Sequence, residues 1–318
     1  MKRLFRFLLY NLLVIVIILA VLEAGCRIIL RHTYNRDFDS SLIVDDKYLT
    51  SAGLKENATG TVWGKEFHTD EFACRKSSKP YNKQKRKWLY IGDSVTEGVG
   101  VDDTSTFAAI VAAHTDSINI LNYSLIGYSV ADYYNVLKCL LDKNDSSISK
   151  ATVFFCLNDV YGSTKPNQLP EMAQQNWKGK LNSLLQNRYA TYKVLKLLLL
   201  KTSDRYFQYD NQFYNQGDPH FKEAMHYLRG CDSLCRAHRV KMNVVMLPYH
   251  SQLGSANDIM QQPQDLVRDY CEKHQIPFAD VLETLKNRVK PRSEYLLGDE
   301  IHFSEVGHRV VADFILSH

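Results

Sequence analysis

Residues 88–94 read Trp88-Leu89-Tyr90-Ile91-Gly92-Asp93-Ser94. Four apolar residues ending at a glycine predict a short buried strand, and Gly-Asp-Ser predicts the turn that leaves it. The pattern recurs downstream. Ile118 to Tyr123 predicts a second strand, and Thr152 to Leu157 a third, rich in β-branched and aromatic residues. Val244-Val245-Met246-Leu247 before Pro248 predicts a fourth, and Pro277 to Val281 a short fifth. Between them, apolar residues recur at helical spacing: Phe107, Ile110 and Val111 within 105–115, then Val130, Tyr133, Tyr134, Leu137, Leu140 and Leu141. Residues 219–238 and 262–274 also read as helices, and Val306, Val310, Val311, Phe314 and Ile315 mark a C-terminal one. Alternating strands and helices specify right-handed crossovers and a parallel sheet covered on both faces. Ligands of such sheets sit beyond the carboxyl ends of the strands, so the side chains at those ends are the candidates for chemistry.

The composition sets the frame. The chain has 318 residues, 45% hydrophobic and 23% charged, which excludes disordered, collagen-like and coiled-coil classes. A chain this long buries a core without disulfide or metal staples. Its formal charge of +4 is too weak to argue for a nucleic-acid partner. The cysteines (Cys26, Cys74, Cys139, Cys156, Cys231, Cys235 and Cys271) form no C-x2-C pair and no zinc spacing. Cys231 and Cys235, four apart in a predicted helix, read as two partly buried thiols, and cysteine usage does not fix the compartment.

The N-terminus speaks to location. Lys2, Arg3 and Arg6 precede an apolar stretch from Phe7 to Leu22, and Glu23 and Arg27 follow before Ile28, Ile29 and Leu30. Extended to Leu30, the stretch is long enough to span a bilayer, with Glu23 and Arg27 near the far interface, four apart and able to pair. Leu22-Glu23-Ala24 is a poor cleavage site, and Glu23 stands where a lipoprotein signal ending at Cys26 has an aliphatic residue. An uncleaved anchor over residues 1–31 is the preferred reading over a lipoprotein or a cleaved signal. The leading positive cluster orients it with an exported, periplasmic or extracytoplasmic, remainder.

Residues 32–86 read as a polar, irregular stalk or extension lying on the main domain, ending in the basic run Lys83, Lys85, Arg86 and Lys87, a solvated face. The main domain is expected over 87–318. Within it, 160–218 is dense in Asn, Gln and Tyr and reads as an insertion carrying one or two helices, with Val194 to Leu200 as an apolar, core-type piece.

Four places carry the chemistry. Ser94 follows the first strand, where a hydroxyl is exposed and the backbone N–H is free for a ligand; a capping residue in a turn is the ordinary alternative. Gly127, after Asn122-Tyr123-Ser124-Leu125-Ile126, lets a backbone N–H approach a ligand, or simply makes a turn. Asn158, in Cys156-Leu157-Asn158-Asp159, places a side-chain amide at a strand end, as an oxyanion donor or a cap. Asp299-Glu300-Ile301-His302 supplies what a serine needs: a base that titrates near neutrality and a carboxylate to orient it. His308 is a rival base, but it falls inside the C-terminal helix and reads as structural.

Taken together, these blocks resemble the SGNH/GDSL hydrolase family over roughly residues 87–317, in the family's order. The resemblance implies a flavodoxin-like three-layer α/β/α sandwich with a parallel sheet. It implies Ser94 as nucleophile, His302 as general base and acid, Asp299 as its orienter, and an oxyanion hole formed by the Ser94 and Gly127 N–H groups and the Asn158 side chain. It requires no cofactor and no metal. His68 to Lys79 also looks like the extension of membrane-anchored relatives. Two departures stand out: Val95 replaces the leucine of the serine block, and Cys156 replaces a glycine of the asparagine block. A thiol there narrows the floor of the pocket and bears on substrate size and activity; Cys156 itself is a poor candidate nucleophile, because nothing beside it lowers a thiol pKa.

The expected function is hydrolysis of acyl or acetyl esters of a small-molecule, carbohydrate or lipid alcohol through an acyl-enzyme. The same triad would serve an O-acetyltransferase of cell-envelope or extracellular polysaccharide. A membrane-tethered binding or scaffold protein with a decayed site is the alternative of another class.

Overall fold

A computed structural model describes residues 2–33, 36–161, 177–199, 202–254, 258–287, 291–296 and 299–318. The elements in chain order are α1 (Lys2–Thr33), β1 (Ile43–Tyr48), β2 (Ser51–Leu54), β3 (Thr59–Val62), β4 (Lys65–His68), β5 (Arg86–Ile91) and α2 (Ser94–Glu97). Then come α3 (Phe107–His114), β6 (Ile118–Asn122), α4 (Val130–Leu141), β7 (Ile148–Cys156), α5 (Trp177–Arg188), α6 (Ala190–Leu199), α7 (Thr202–Asn211) and α8 (Pro219–Ala237). The chain closes with β8 (Lys241–Leu247), α9 (Asp258–Lys273), β9 (Phe278–Asp280), α10 (Leu282–Lys286) and α11 (Glu305–Ser317). They form two compact units: residues 1–35 with 167–201, and residues 36–166 with 202–318.

The larger unit is built on a five-stranded parallel sheet of order β6-β5-β7-β8-β9. All five predicted strands are present; β7 starts at Ile148, four residues earlier than its most apolar stretch. From Ala151 to Cys156 the β7 residues are buried without alternation, as expected of a central strand covered on both faces. Helices flank the sheet, with α3 packed on α11 and α4 on α8. The fold is therefore the α/β class anticipated, and the carboxyl ends of β5, β6, β7 and β8 open onto one rim.

The segment before the sheet is not irregular. Residues 43–54 and 59–68 form two antiparallel hairpins, β1–β2 and β3–β4. The strands β3 and β4 are short and largely half-exposed, with single apolar anchors, Val62 and Phe67, buried, so alternation over four residues gave too little periodic signal; β2 is mostly buried but built of small residues up to Leu54. The hairpins are stitched to the domain: Ser51 Oγ donates to Asp132 at 2.6 Å, and Arg75 bridges to Asn122 at the β6 edge. The anticipated insertion divides between the units. Helix α7 belongs to the larger unit, α5 and α6 to the smaller, and residues 162–176 lie outside those described.

The smaller unit contains α1, and its Arg3–Arg31 portion of 29 residues is long and apolar enough to cross a membrane. Arg27 pairs with Glu23 at 2.9 Å, one helical turn away.

Candidate active site

Tight packing at β5 dictates the sequence of the serine turn. A Cβ on Gly92 would lie 2.2 Å from Thr96 Oγ1 and 3.1 Å from the Phe154 carbonyl oxygen, so only glycine fits between the sheet and the following turn. Asp93 then caps the one-turn helix α2 by accepting the Val95 N–H at 2.9 Å. This places Ser94 as the first residue of α2, with its side chain at the rim.

Ser94 Oγ lies 2.8 Å from His302 Nε2, across 208 residues of sequence. His302 Nδ1 lies 2.9 Å from Asp299 Oδ1, which also accepts the Ile301 and His302 backbone N–H groups at 2.9 Å. Since the carboxylate accepts the Nδ1 proton, Nε2 is left as the acceptor for the serine hydroxyl. The D-x-x-H spacing closes because Glu300 adopts a left-handed backbone, φ 62°, which turns Asp299 back onto the ring. A bridge between Tyr295 and Phe303 holds the ends of this loop together. Burial alone would raise the Asp299 carboxyl; the charge and hydrogen bonds of His302, together with the Arg36 guanidinium, outweigh it and hold it well below the usual carboxylate range.

The N-terminal extension reaches the same place. Arg36 Nη2 lies 3.4 Å from Asp299 Oδ2, and its guanidinium stacks 4.1 Å above the Trp63 ring. Trp63 in turn meets the His302 ring edge-on, centroids 4.6 Å apart. Trp63 and Gly64 form the β3–β4 turn with φ 51° and 75°, the left-handed pair of a tight hairpin. A bulky residue at such a φ is strained, and here it is held between Arg36 and His302.

The loops after β6 and β7 carry the other two residues. Gly127 sits in the loop after β6 with φ 84°, a conformation that glycine adopts without penalty. The preceding residue is fixed by Glu97, whose Oε2 accepts the Ile126 N–H at 2.8 Å. Glu97 is fully buried, its Oε1 has no partner among the described residues, and burial pushes the carboxyl up to about 8, with Asp93 adding to the effect. It is held as the neutral acid at neutral pH. Asn158 Nδ2 donates to Asp93 Oδ2 at 3.0 Å, which also lies 3.3 Å from Ser94 Oγ. Asn158 Oδ1 lies 3.2 Å from the Tyr249 hydroxyl, which is 2.7 Å from Asp210. Tyr161 donates to the same carboxylate at 2.9 Å, and burial raises Asp210 to about 6.

The structure thus gathers Ser94, His302, Asp299 and Asn158 into one bonded cluster, with Gly127 on the loop that Glu97 fixes. His308 is elsewhere in the network. It is buried in α11, accepts the Phe107 N–H on Nδ1 at 3.2 Å, and burial, with Arg75 and His302 adding, lowers it to about 3. Cys156 is buried at the end of β7, and burial, then Asp93 and Asp159, push its thiol well above the ordinary range. Cys231 and Cys235 are buried more completely than expected. Arg36, Trp63, Arg75, Glu97, Asp210 and Tyr249 carry no motif. Glu97 alone has a local signal, lying one helical turn after the serine. Arg75, buried, donates to the carbonyls of Glu97, Gly98 and Val101 and so ties down the chain that leaves α2.

The profile of the GDSL-like lipase/acylhydrolase family matches residues 90–310. The chain belongs to this family. It is accordingly an acyl ester hydrolase of the SGNH type. No curated protein matches it in sequence. Solved structures of similar fold include a lipolytic protein of the G-D-S-L family from Veillonella parvula DSM 2008, 16% identical, covering 73% of this chain and 97% of its own, TM-score 0.42. A putative lipolytic protein of that family from Desulfitobacterium hafniense DCB-2 is 12% identical over 73% and 98%, TM-score 0.44. A catalytic mutant of an acetylxylan esterase from Geobacillus stearothermophilus is 16% identical over 73% and 93%, TM-score 0.44.

Proposed function

We propose that this chain is a membrane-anchored serine esterase that cleaves acyl or acetyl esters of carbohydrate or lipid alcohols through an acyl-enzyme on Ser94. The single observation that carries the reading is the hydrogen-bonded chain from Ser94 Oγ through His302 to Asp299, at 2.8 and 2.9 Å. His302 Nε2 takes the hydroxyl proton as Ser94 Oγ attacks the ester carbonyl, and Asp299 stabilises the resulting imidazolium. The oxyanion accepts hydrogen bonds from the Ser94 and Gly127 N–H groups and from Asn158. An amide nitrogen carries two hydrogens, so Asn158 can hold Asp93 with one and the oxyanion with the other. Each such donor is worth about 3 kcal/mol to the barrier. His302 then protonates the departing alkoxide, and a water, activated the same way, releases the acid.

Helix α1 would hold the enzyme in the membrane. The positive cluster of Lys2, Arg3 and Arg6 favours a catalytic domain on the exported side. The test is covalent labelling of the detergent-solubilised full chain with a fluorophosphonate, beside Ser94→Ala. Labelling of the parent and none of the variant is expected, with acetyl or short-chain ester turnover lost in His302→Ala. Equal labelling of both, or of neither, refutes the proposal.

A further inference from the structure

The two helices α5 and α6 are unusual in charge and in what they expose. Between residues 177 and 199 there are five basic residues (Lys178, Lys180, Arg188, Lys193 and Lys196) and no acidic one. On α5, Trp177, Leu181 and Leu184 follow helical spacing and are exposed, Trp177 at 70%. On α6, Leu195 and Leu199, four apart, are exposed as well. The pair is nonetheless well fastened. The Tyr192 hydroxyl donates to Asn182 Oδ1 at 2.9 Å and Lys196 Nζ to the same oxygen at 3.3 Å, locking α6 to α5.

The hairpin is fixed to one level of α1. Glu23 accepts the Ala190 and Thr191 N–H groups at 2.8 and 2.9 Å and the Thr191 hydroxyl at 2.8 Å, capping the start of α6. Arg27 bonds both Glu23 and the Arg188 carbonyl, the latter at 3.0 Å. Among residues 3–31, those half-buried are Glu23, Gly25, Cys26 and Leu30, and residues 3–22 are all exposed. The bare part of α1 therefore holds about twenty residues, about 30 Å of helix, the thickness of a hydrocarbon core. Protein contacts begin where that length ends. An acidic residue satisfied by helix N–H groups and an arginine fits the bilayer boundary and not its centre.

Resting on the anchor reading above, we infer that α5–α6 is an interfacial collar that lies on the membrane surface beside the exit of α1. Leu181, Leu184, Leu195 and Leu199 enter the headgroup–acyl boundary, and the basic residues face anionic phospholipid. On α6, Lys193 and Lys196 share one side and Val194, Leu195 and Leu199 another, the arrangement of helices that lie in a membrane interface; on α5 the basic residues lie among the exposed apolar ones, with Arg188 one turn beyond Leu184. Continuity with the spanning helix and charge complementarity select lipid as the occupant.

The full-length protein in vesicles of phosphatidylcholine and phosphatidylglycerol tests this, using a Cys26→Ser, Cys139→Ser background. Bimane is placed singly at Leu13→Cys, Leu184→Cys, Leu195→Cys and, on α8, Lys222→Cys, and each variant is checked for the parent's helical circular dichroism. Lipids brominated near the headgroup end of the acyl chains should diminish emission at positions 184 and 195, more than lipids brominated near the chain end. Position 222, exposed on α8, should respond to aqueous iodide. If position 13 is insensitive to every brominated lipid, the anchor reading falls and the collar with it. If position 13 is quenched by lipid but 184 and 195 respond only to iodide, the anchor stands and the collar is refuted. If 184 and 195 are shielded from lipid and iodide alike, a protein covers this face, and the inference is overturned.

Discussion

Glu97 offers a sharp test, because a buried carboxyl three residues after Ser94 is held in its neutral form. Its folded-state value is about 8 against an ordinary 4.5, chiefly from burial. A folded value above the unfolded one makes the neutral acid the favoured form in the fold. Its contribution to stability is complete below pH 4.5, declines as the unfolded chain ionises first, and is gone above pH 8. At about 1.4 kcal/mol per unit the full span is of order 5 kcal/mol, and relaxation around an ionised Glu97 lowers it, so a loss of at least about 2 kcal/mol is expected. Glu97→Gln keeps an acceptor for the Ile126 N–H, bonded at 2.8 Å in the parent, while removing the titration. Urea unfolding of the solubilised chain at pH 5, 6.5 and 8.5 measures the difference. Asp210 and Asp280, both raised by burial to about 6, tilt both proteins alike, so the comparison isolates Glu97. The variant should gain on the parent as the pH rises and retain most ester turnover. Glu97→Ala, which frees the Ile126 N–H beside Gly127, should lose turnover at every pH. Parallel stability profiles for parent and Glu97→Gln would refute the argument.

Two further outcomes follow from the same geometry. Arg36 lies 3.4 Å from Asp299 and stacks 4.1 Å from Trp63, which lies 4.6 Å from His302. Arg36→Met should lower kcat/KM several-fold while the urea midpoint stays near the parent's, and an unchanged kcat/KM would show that Arg36 does not position the pair. Gly92→Ala introduces a Cβ 2.2 Å from Thr96 Oγ1, and the fold should lose about 2 kcal/mol in urea titration, with ester turnover falling as α2 shifts.

The sheet was legible because its strands are buried on both faces and read as continuous apolar runs, as β5, β7 and β8 do. The hairpins before it were not, because strands of four to six residues anchored by one or two side chains leave no period to detect. One or two helices were expected between residues 160 and 218, with Val194 to Leu200 in the core; three helices are described there, and Leu195 and Leu199 are exposed. That α5 and α6 join the unit of α1, and not that of the sheet, depends on Glu23 meeting backbone groups some 167 residues away.

At the site the division is similar. The serine, glycine and asparagine blocks each follow a strand end, and strand ends share a rim; the Asp-x-x-His block lies in the loop before α11, and its place beside them was implied by the family resemblance alone. Asp299 and His302 are neighbours in the chain, so their pairing is local chemistry made by one left-handed residue, Glu300. Local pattern was enough for the class of fold and for the residues that follow its strands. It took packing across the chain to bring Ser94 to His302, to close Arg36 and Trp63 over the pair, and to brace Asn158 with Tyr249 and Asp210. Those contacts join segments far apart in the chain, and no short-range periodicity encodes a distance that only packing creates.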